Sequence, residues 1–129
     1  INILSNAWRK QPSFQLAAGS EYMVSAGAVG GRGVVAELAG VAPKLVREVY
    51  DLCAAERYVE ARAAQERLHA LRRAVRALGV AGLKSAMRLI GRDCGPVRQP
   101  VPVPEAAEVD RLATELDRLR ILATEPRGM

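Results

Sequence analysis

Few residues in this chain are of a type and spacing that could do chemistry. Two short glycine-bearing stretches stand near its start: Gly19-Ser20-Glu21, and Gly30-Gly31-Arg32-Gly33 running into Val34-Val35-Ala36-Glu37. Glycine lets backbone turn sharply or approach a ligand closely, and an adjacent serine or glutamate supplies polar contact. The glycine pair has neither the Gly-x-Gly-x-x-Gly order of a dinucleotide turn nor the Lys-Ser/Thr of a phosphate loop, so a tight connection is its simplest reading. Glu37 closes an apolar run, and a carboxylate in that position wants a partner or water. Ser20 reads as a helix cap and Glu21 as a first-turn charge.

The remaining candidates are weaker. His69, the single histidine, sits beside Leu68 in a helical pattern, and no metal site can be assembled around it. Lys10, Lys44 and Lys84 all fall on predicted helices. Trp8 and Tyr50 lie on apolar stripes and read as core, while Arg98, between prolines, reads as an anchor for backbone carbonyls. Cys53 and Cys94 have no Cys-x-x-Cys partner, which fits a reducing compartment. The cytoplasm is therefore expected, with the mitochondrial matrix as the other reducing choice.

Charge narrows the choice of partners. The formal net charge of +5 could suit nucleic acid, but Glu56, Arg57, Glu60, Arg62, Glu66 and Arg67 alternate as on solvated helix faces. Only Arg72, Arg73 and Arg76 form a basic cluster. With one Trp, one Phe and no zinc-finger spacing, nucleic-acid binding is not expected. Glu21, Arg32 and Glu37 interrupt the Gly/Ala/Val-rich stretch, so no membrane span and no signal peptide are expected either. The first residue is Ile1, which suggests processing or a piece of a longer chain.

These candidates need elements to position them. A short helix is expected over 2–10, a buried strand from Phe14 to Ala18, a brief helix from Ser20 to Ala28, and a second buried strand over Val34-Val35-Ala36. Strand, helix and strand in so short a span make a βαβ unit with parallel strands. After Gly40 the pattern turns helical. Pro43 opens one helix with Val46, Val49, Tyr50 and Cys53 inward. A second runs from about Val59 to Leu78 with Ala61, Ala64, Leu68, Leu71 and Val75 inward, closed by Gly79. A third spans about Gly82 to Ile90, and a fourth runs from Glu105 to about Leu122. Between them, Gly95 to Pro104 carries four prolines and must be extended. Two parallel strands leave open edges, so more strands are required from elsewhere.

The order Phe14-Gln15-Leu16-Ala17-Ala18-Gly19, then Gly27-Ala28-Val29-Gly30-Gly31, then Pro43, then Ala54-Ala55-Glu56-Arg57-Tyr58-Val59-Glu60-Ala61-Arg62, resembles the dihydrodipicolinate synthase and N-acetylneuraminate lyase family. Gly82-Leu83-Lys84-Ser85-Ala86-Met87 and Gly95-Pro96-Val97-Arg98-Gln99-Pro100 are similar to its late passage, nearest the 4-hydroxy-2-oxoglutarate aldolase branch. The resemblance implies an α/β fold: the C-terminal portion of a (β/α)8 barrel, with residues 1–42 carrying its last two parallel strands and 43–129 its last helix and a helical extension.

It also implies a class I aldolase or lyase, in which a lysine forms a Schiff base with pyruvate or another 2-oxo acid and no cofactor or metal is needed. That lysine stands on the sixth strand of the family barrel and would lie upstream of Ile1, leaving no catalytic residue in this chain. Gly19, Ser20 and Glu21 would then be substrate-binding residues after the seventh strand. Val35 would offer its carbonyl near the Schiff base, and Glu37 would contact the distal end of the substrate. Two departures from the family pattern stand out: a short segment between Gly19 and Gly30, and Gly40 where many members carry Asn. Homo-oligomers, dimer or tetramer, would follow from the resemblance. The other reading is a non-catalytic helical interaction module or a degenerate paralogue.

Overall fold

The computed structural model describes residues 10, 11, 13, 15–19 and 22–128. The helix expected over 2–10 lies outside the described residues apart from Lys10, as do Trp8, Phe14, Ser20 and Glu21. The described chain runs β1 (Ala17–Gly19), α1 (Met23–Ala28), β2 (Gly33–Val35), a 3-10 turn (Glu37–Gly40), α2 (Pro43–Ala54), α3 (Tyr58–Arg76), α4 (Gly79–Leu89), α5 (Ala106–Arg118) and α6 (Ile121–Thr124).

β1 and β2 pair in parallel, with Ala17 opposite Gly33, Ala18 opposite Val34 and Gly19 opposite Val35. The expected βαβ unit is present, but its strands are short, shifted to Ala17–Gly19 and Gly33–Val35, and not buried as expected, because no further strand among the described residues flanks them. Pairing reaches one residue further back through the Arg32 N–H, which donates to the Leu16 carbonyl at 2.8 Å. The turn feeding β2 is tight. Gly30 has φ +89°, a conformation that favours glycine, and a Cβ on Gly31 would press on the Ala26 carbonyl.

α1 starts later than the sequence suggests. Its boundary residue is Tyr22 rather than Ser20, and it has no side-chain cap of its own. The side chain of Gln65, on α3, instead accepts from the Val24 N–H at 2.9 Å, satisfying a donor that the first turn leaves open. Pro43 opens α2 as expected, because its missing N–H costs nothing there. Leu45, Val46, Val49 and Cys53 are buried. Tyr50 is only half-buried, and its hydroxyl donates to the Arg32 carbonyl at 3.2 Å.

The inward stripe of α3 is Ala61, Ala64, Leu68, Leu71 and Val75, at the steps of three and four that keep one helical face. Its end is abrupt. Gly79, with φ +57°, closes the link from α3 and is also the first residue of α4. α4 therefore begins three residues before the expected Gly82. Gly82 itself is buried where α4 crosses α3.

The last expected helix is two. Arg120 takes φ +61°, which breaks the run after α5 and turns the chain so that Ile121 and Glu125 are both buried. One core joins these pieces: Leu38, Val41, Leu45, Val49, Leu68, Leu71, Leu112, Leu116 and Ile121 belong to a single buried cluster. Burying each such side chain is worth roughly 1.5–3 kcal/mol.

The extended stretch after α4 is anchored by Lys84, not by Arg98. The Lys84 ammonium donates to the carbonyls of Cys94 at 3.0 Å, Gly95 at 3.3 Å and Pro96 at 3.0 Å. Arg98 is exposed. No helix among the described residues is long and apolar enough to cross a membrane.

Candidate functional site

Parallel register brings the C-terminal ends of both strands to one place. Gly19 ends β1 directly opposite Val35, which ends β2. Both face open space: nothing lies within 4 Å of a Cβ built on Gly19, and Val35 is 76% exposed. Among the described residues β1 and β2 have no further strand on either side. Glu37 follows two residues later at the start of the 3-10 turn, and it is exposed, so its carboxylate is open to solvent rather than buried. Gly19, Val35 and Glu37 thus gather at one end of the sheet. Ser20 and Glu21 lie outside the described residues.

The loop after β2 is fastened by residues that sequence reasoning did not single out. Glu125 is buried, and its carboxylate accepts from the Lys44 N–H at 2.9 Å and the Leu45 N–H at 3.0 Å. Two open donors in the first turn of α2 are thereby capped from 80 positions away. The Arg92 guanidinium donates to the Gly40 carbonyl at 2.6 Å and also to the Pro126 carbonyl. Lys44 donates through its ammonium to the Thr124 carbonyl at 3.1 Å. A side chain at Gly40 would meet the Met87 sulfur at 3.3 Å, so the position is filled by packing rather than left vacant.

The Gly30-Gly31 turn is not part of this site. It precedes β2, at the opposite end of the strands from Val35, and its N–H groups are already spent. Gly30 donates to the Gly27 carbonyl at 3.0 Å and Gly31 to the Ala26 carbonyl at 2.7 Å. A cavity of about 310 Å³ beside it is lined by Tyr50, Cys53 and Tyr58 among others.

No lysine among the described residues stands on a strand: Lys44 lies on α2 and Lys84 on α4, each engaged with carbonyls, while Lys10 precedes β1. His69 is half-buried on α3, its Nε2 3.4 Å from the Gln65 amide nitrogen. No group of three or more potential metal ligands forms among the described residues. Neither cysteine is disulfide-bonded. Burial pushes the Cys53 thiol above its ordinary value, which disfavours the reactive thiolate, whereas Cys94 is exposed. A disulfide reagent such as dithionitrobenzoate is therefore expected to modify Cys94 quickly and Cys53 only on unfolding. Equal rates at the two positions would contradict the packing of α2.

A two-stranded parallel unit whose open C-terminal ends are backed by a helical layer is the architecture of a segment of an α/β fold. Residues 2–118 match the Dihydrodipicolinate synthetase family, and the chain belongs to that lyase family. It is 35% identical over 116 residues to a DapA-like lyase of Halobacterium salinarum, covering 88% of this chain and 38% of that protein. It is 34% identical over 90 residues to 4-hydroxy-tetrahydrodipicolinate synthase of Corynebacterium jeikeium, covering 69% and 30%. The fold recurs in N-acetylneuraminate lyase from Fusobacterium nucleatum (TM-score 0.82, 17% identity, 92% of this chain and 41% of the other). It recurs also in dihydrodipicolinate synthase from Bacteroides thetaiotaomicron (TM-score 0.81, 24% identity, 88% and 40%). The chain thus matches 30% to 41% of the length of these relatives.

Proposed function

We propose that this chain is the C-terminal part of a (β/α)8 barrel that acts as a class I aldolase or lyase on pyruvate-type 2-oxo acids. β1 and β2 serve as the seventh and eighth strands. Residues 1–42 complete the barrel, and 43–129 form its last helix and a helical extension that carries oligomer contacts in a dimer or tetramer. The reading rests on one observation above all: Gly19 and Val35 end two parallel strands side by side and open, at the end where barrel chemistry occurs.

In this reading a lysine on another strand, none of Lys10, Lys44 or Lys84, condenses with the keto carbon and releases water. The resulting iminium accepts the electron pair of the carbon–carbon bond that breaks and becomes an enamine; in the forming direction the iminium first gives up its C3 proton to a base, and the enamine so made supplies the pair. Val35 presents its carbonyl toward the Schiff base, Gly19, Ser20 and Glu21 line the substrate loop, and Glu37 meets the distal end of the substrate. Two unpaired cysteines suit a reducing compartment, the cytoplasm or the mitochondrial matrix.

The test is the intact mass of the polypeptide that carries this sequence in its own cells, after borohydride reduction with pyruvate present. The expected result is one reduced pyruvyl adduct on a lysine other than Lys10, Lys44 and Lys84. An adduct on one of those three would overturn the assignment of roles. No adduct at all would favour the non-catalytic helical module or a degenerate paralogue.

A further inference from the structure

A second concave site lies on the outer side of α1. Tyr22, three residues beyond Gly19, faces the C-terminal half of α3 across a groove of about 530 Å³, lined also by His69, Arg72, Arg73, Arg76 and Ala77. The hydrogen bond from the Val24 N–H to Gln65 fixes the two helices against each other just below it. His69 and Arg76 are one and three turns further along α3, so the basic face rises from that contact past the start of α1.

Five arginines elsewhere on the chain are paired with acids. Arg47 pairs with Asp51, Arg57 with Glu60, Arg67 with Glu48, Arg88 with Asp93 and Arg118 with Glu115. Arg73 and Arg76 have no acid three or four positions away in either direction; each has another arginine there instead. Like charges at that spacing destabilise a helix. The dipole of α3 accommodates cations in its last turn, but it accounts neither for the adjacency of the arginines nor for a phenol opposite them. His69 and Arg72 already hold other interactions, which leaves Arg73 and Arg76, both exposed, to meet a ligand.

We propose that this groove binds a phosphate group, held by the Arg73 and Arg76 guanidiniums with the Tyr22 hydroxyl donating from the other wall. Guanidinium matches a phosphate through paired N–H donors, and a dianion offsets the repulsion between the two cations. The phosphate belongs either to a separate effector or to the far end of a substrate bound at Gly19 and Val35. The site stands on the groove alone and does not require the aldolase chemistry.

The experiment titrates the polypeptide that carries this sequence with inorganic phosphate, followed by calorimetry. Saturable binding is expected, weakened by about tenfold per arginine in Arg73→Gln/Arg76→Gln. The control Arg62→Gln/Arg98→Gln, which removes the same charge from exposed positions elsewhere, is expected to bind as the parent does. Absence of saturable binding, or equal weakening in both variants, overturns the proposal. A phosphorylated 2-oxo acid that binds more tightly than phosphate, with the gain lost in the Arg73/Arg76 variant, identifies the substrate as the source. Equal affinity for the two identifies an effector. The titrations with inorganic phosphate involve no Schiff base, so they fail independently of the borohydride test.

Discussion

Gly82→Ala is expected to destabilise the fold by about 1–3 kcal/mol, even though alanine is the better helix former by roughly 1 kcal/mol. The reason is steric. A Cβ at this buried position would collide with the carbonyl of Val75 and crowd the Leu78 side chain, and the first of these is backbone that cannot step aside. α4 would have to lift from α3, separating Ala86 and Ile90 from the core they help to form. Gly79→Ala is the useful contrast. Nothing lies within 4 Å of a Cβ there, but φ is +57°, so its cost is the left-handed backbone alone, about 1–2 kcal/mol. Urea titration followed by circular dichroism measures both. A Gly82→Ala chain as stable as the parent would show that the two helices are not held at the described separation.

Glu125→Ala is expected to lower stability by about 2–3 kcal/mol, since two N–H groups at the start of α2, that of Leu45 buried and that of Lys44 partly so, lose their acceptor at once. Glu125→Gln should recover part of that loss, because an amide oxygen can still accept one of the bonds while its NH2 faces a donor. The same titration reports the effect. A loss within about 0.5 kcal/mol of zero for Glu125→Ala, the range of ordinary surface changes, would mean that water caps α2 as well as the carboxylate does. The effect should also reach the candidate site, because the loop from Glu37 to Gly40 joins β2 to that capped turn.

The helices and the βαβ unit were legible because their signals are local. Leu68, Leu71 and Val75 announce the inward face of α3 by spacing alone, and two apolar runs divided by a glycine turn announce a parallel pair. The resemblance, not the spacing, put Gly19 and Val35 at the substrate, and the parallel register sets them opposite each other. The fasteners were not legible, for one physical reason: a side chain that bonds backbone 41 or 80 positions away leaves no periodicity. Nothing in the spacing marked Gln65, Arg92 or Glu125, and Lys84 read only as a lysine on a predicted helix. Arg98, picked as the anchor for its neighbouring prolines, has no such reach.

Two boundary errors have causes of their own. Gly79 was read only as a stop, whereas a left-handed glycine can also turn the chain straight into the next helix. Arg120 breaks the final helix without the Gly or Asn that normally marks a left-handed residue; burial of Ile121 and Glu125 decides the matter from outside the local sequence.

The bonds from Glu125 to Lys44 and Leu45 also impose an order on events during synthesis. The start of α2 leaves the ribosome 81 positions before the carboxylate that caps it at Lys44. At translation rates of about 5–20 residues per second, that is an interval of roughly 4–16 s. Throughout it, the loop beyond β2 has its apolar residues Leu38 and Val41 but not the groups that fasten it. The strand end it carries therefore stays loose while the preceding part of the chain is already free to find its partners, and it locks only when the last helical turn arrives.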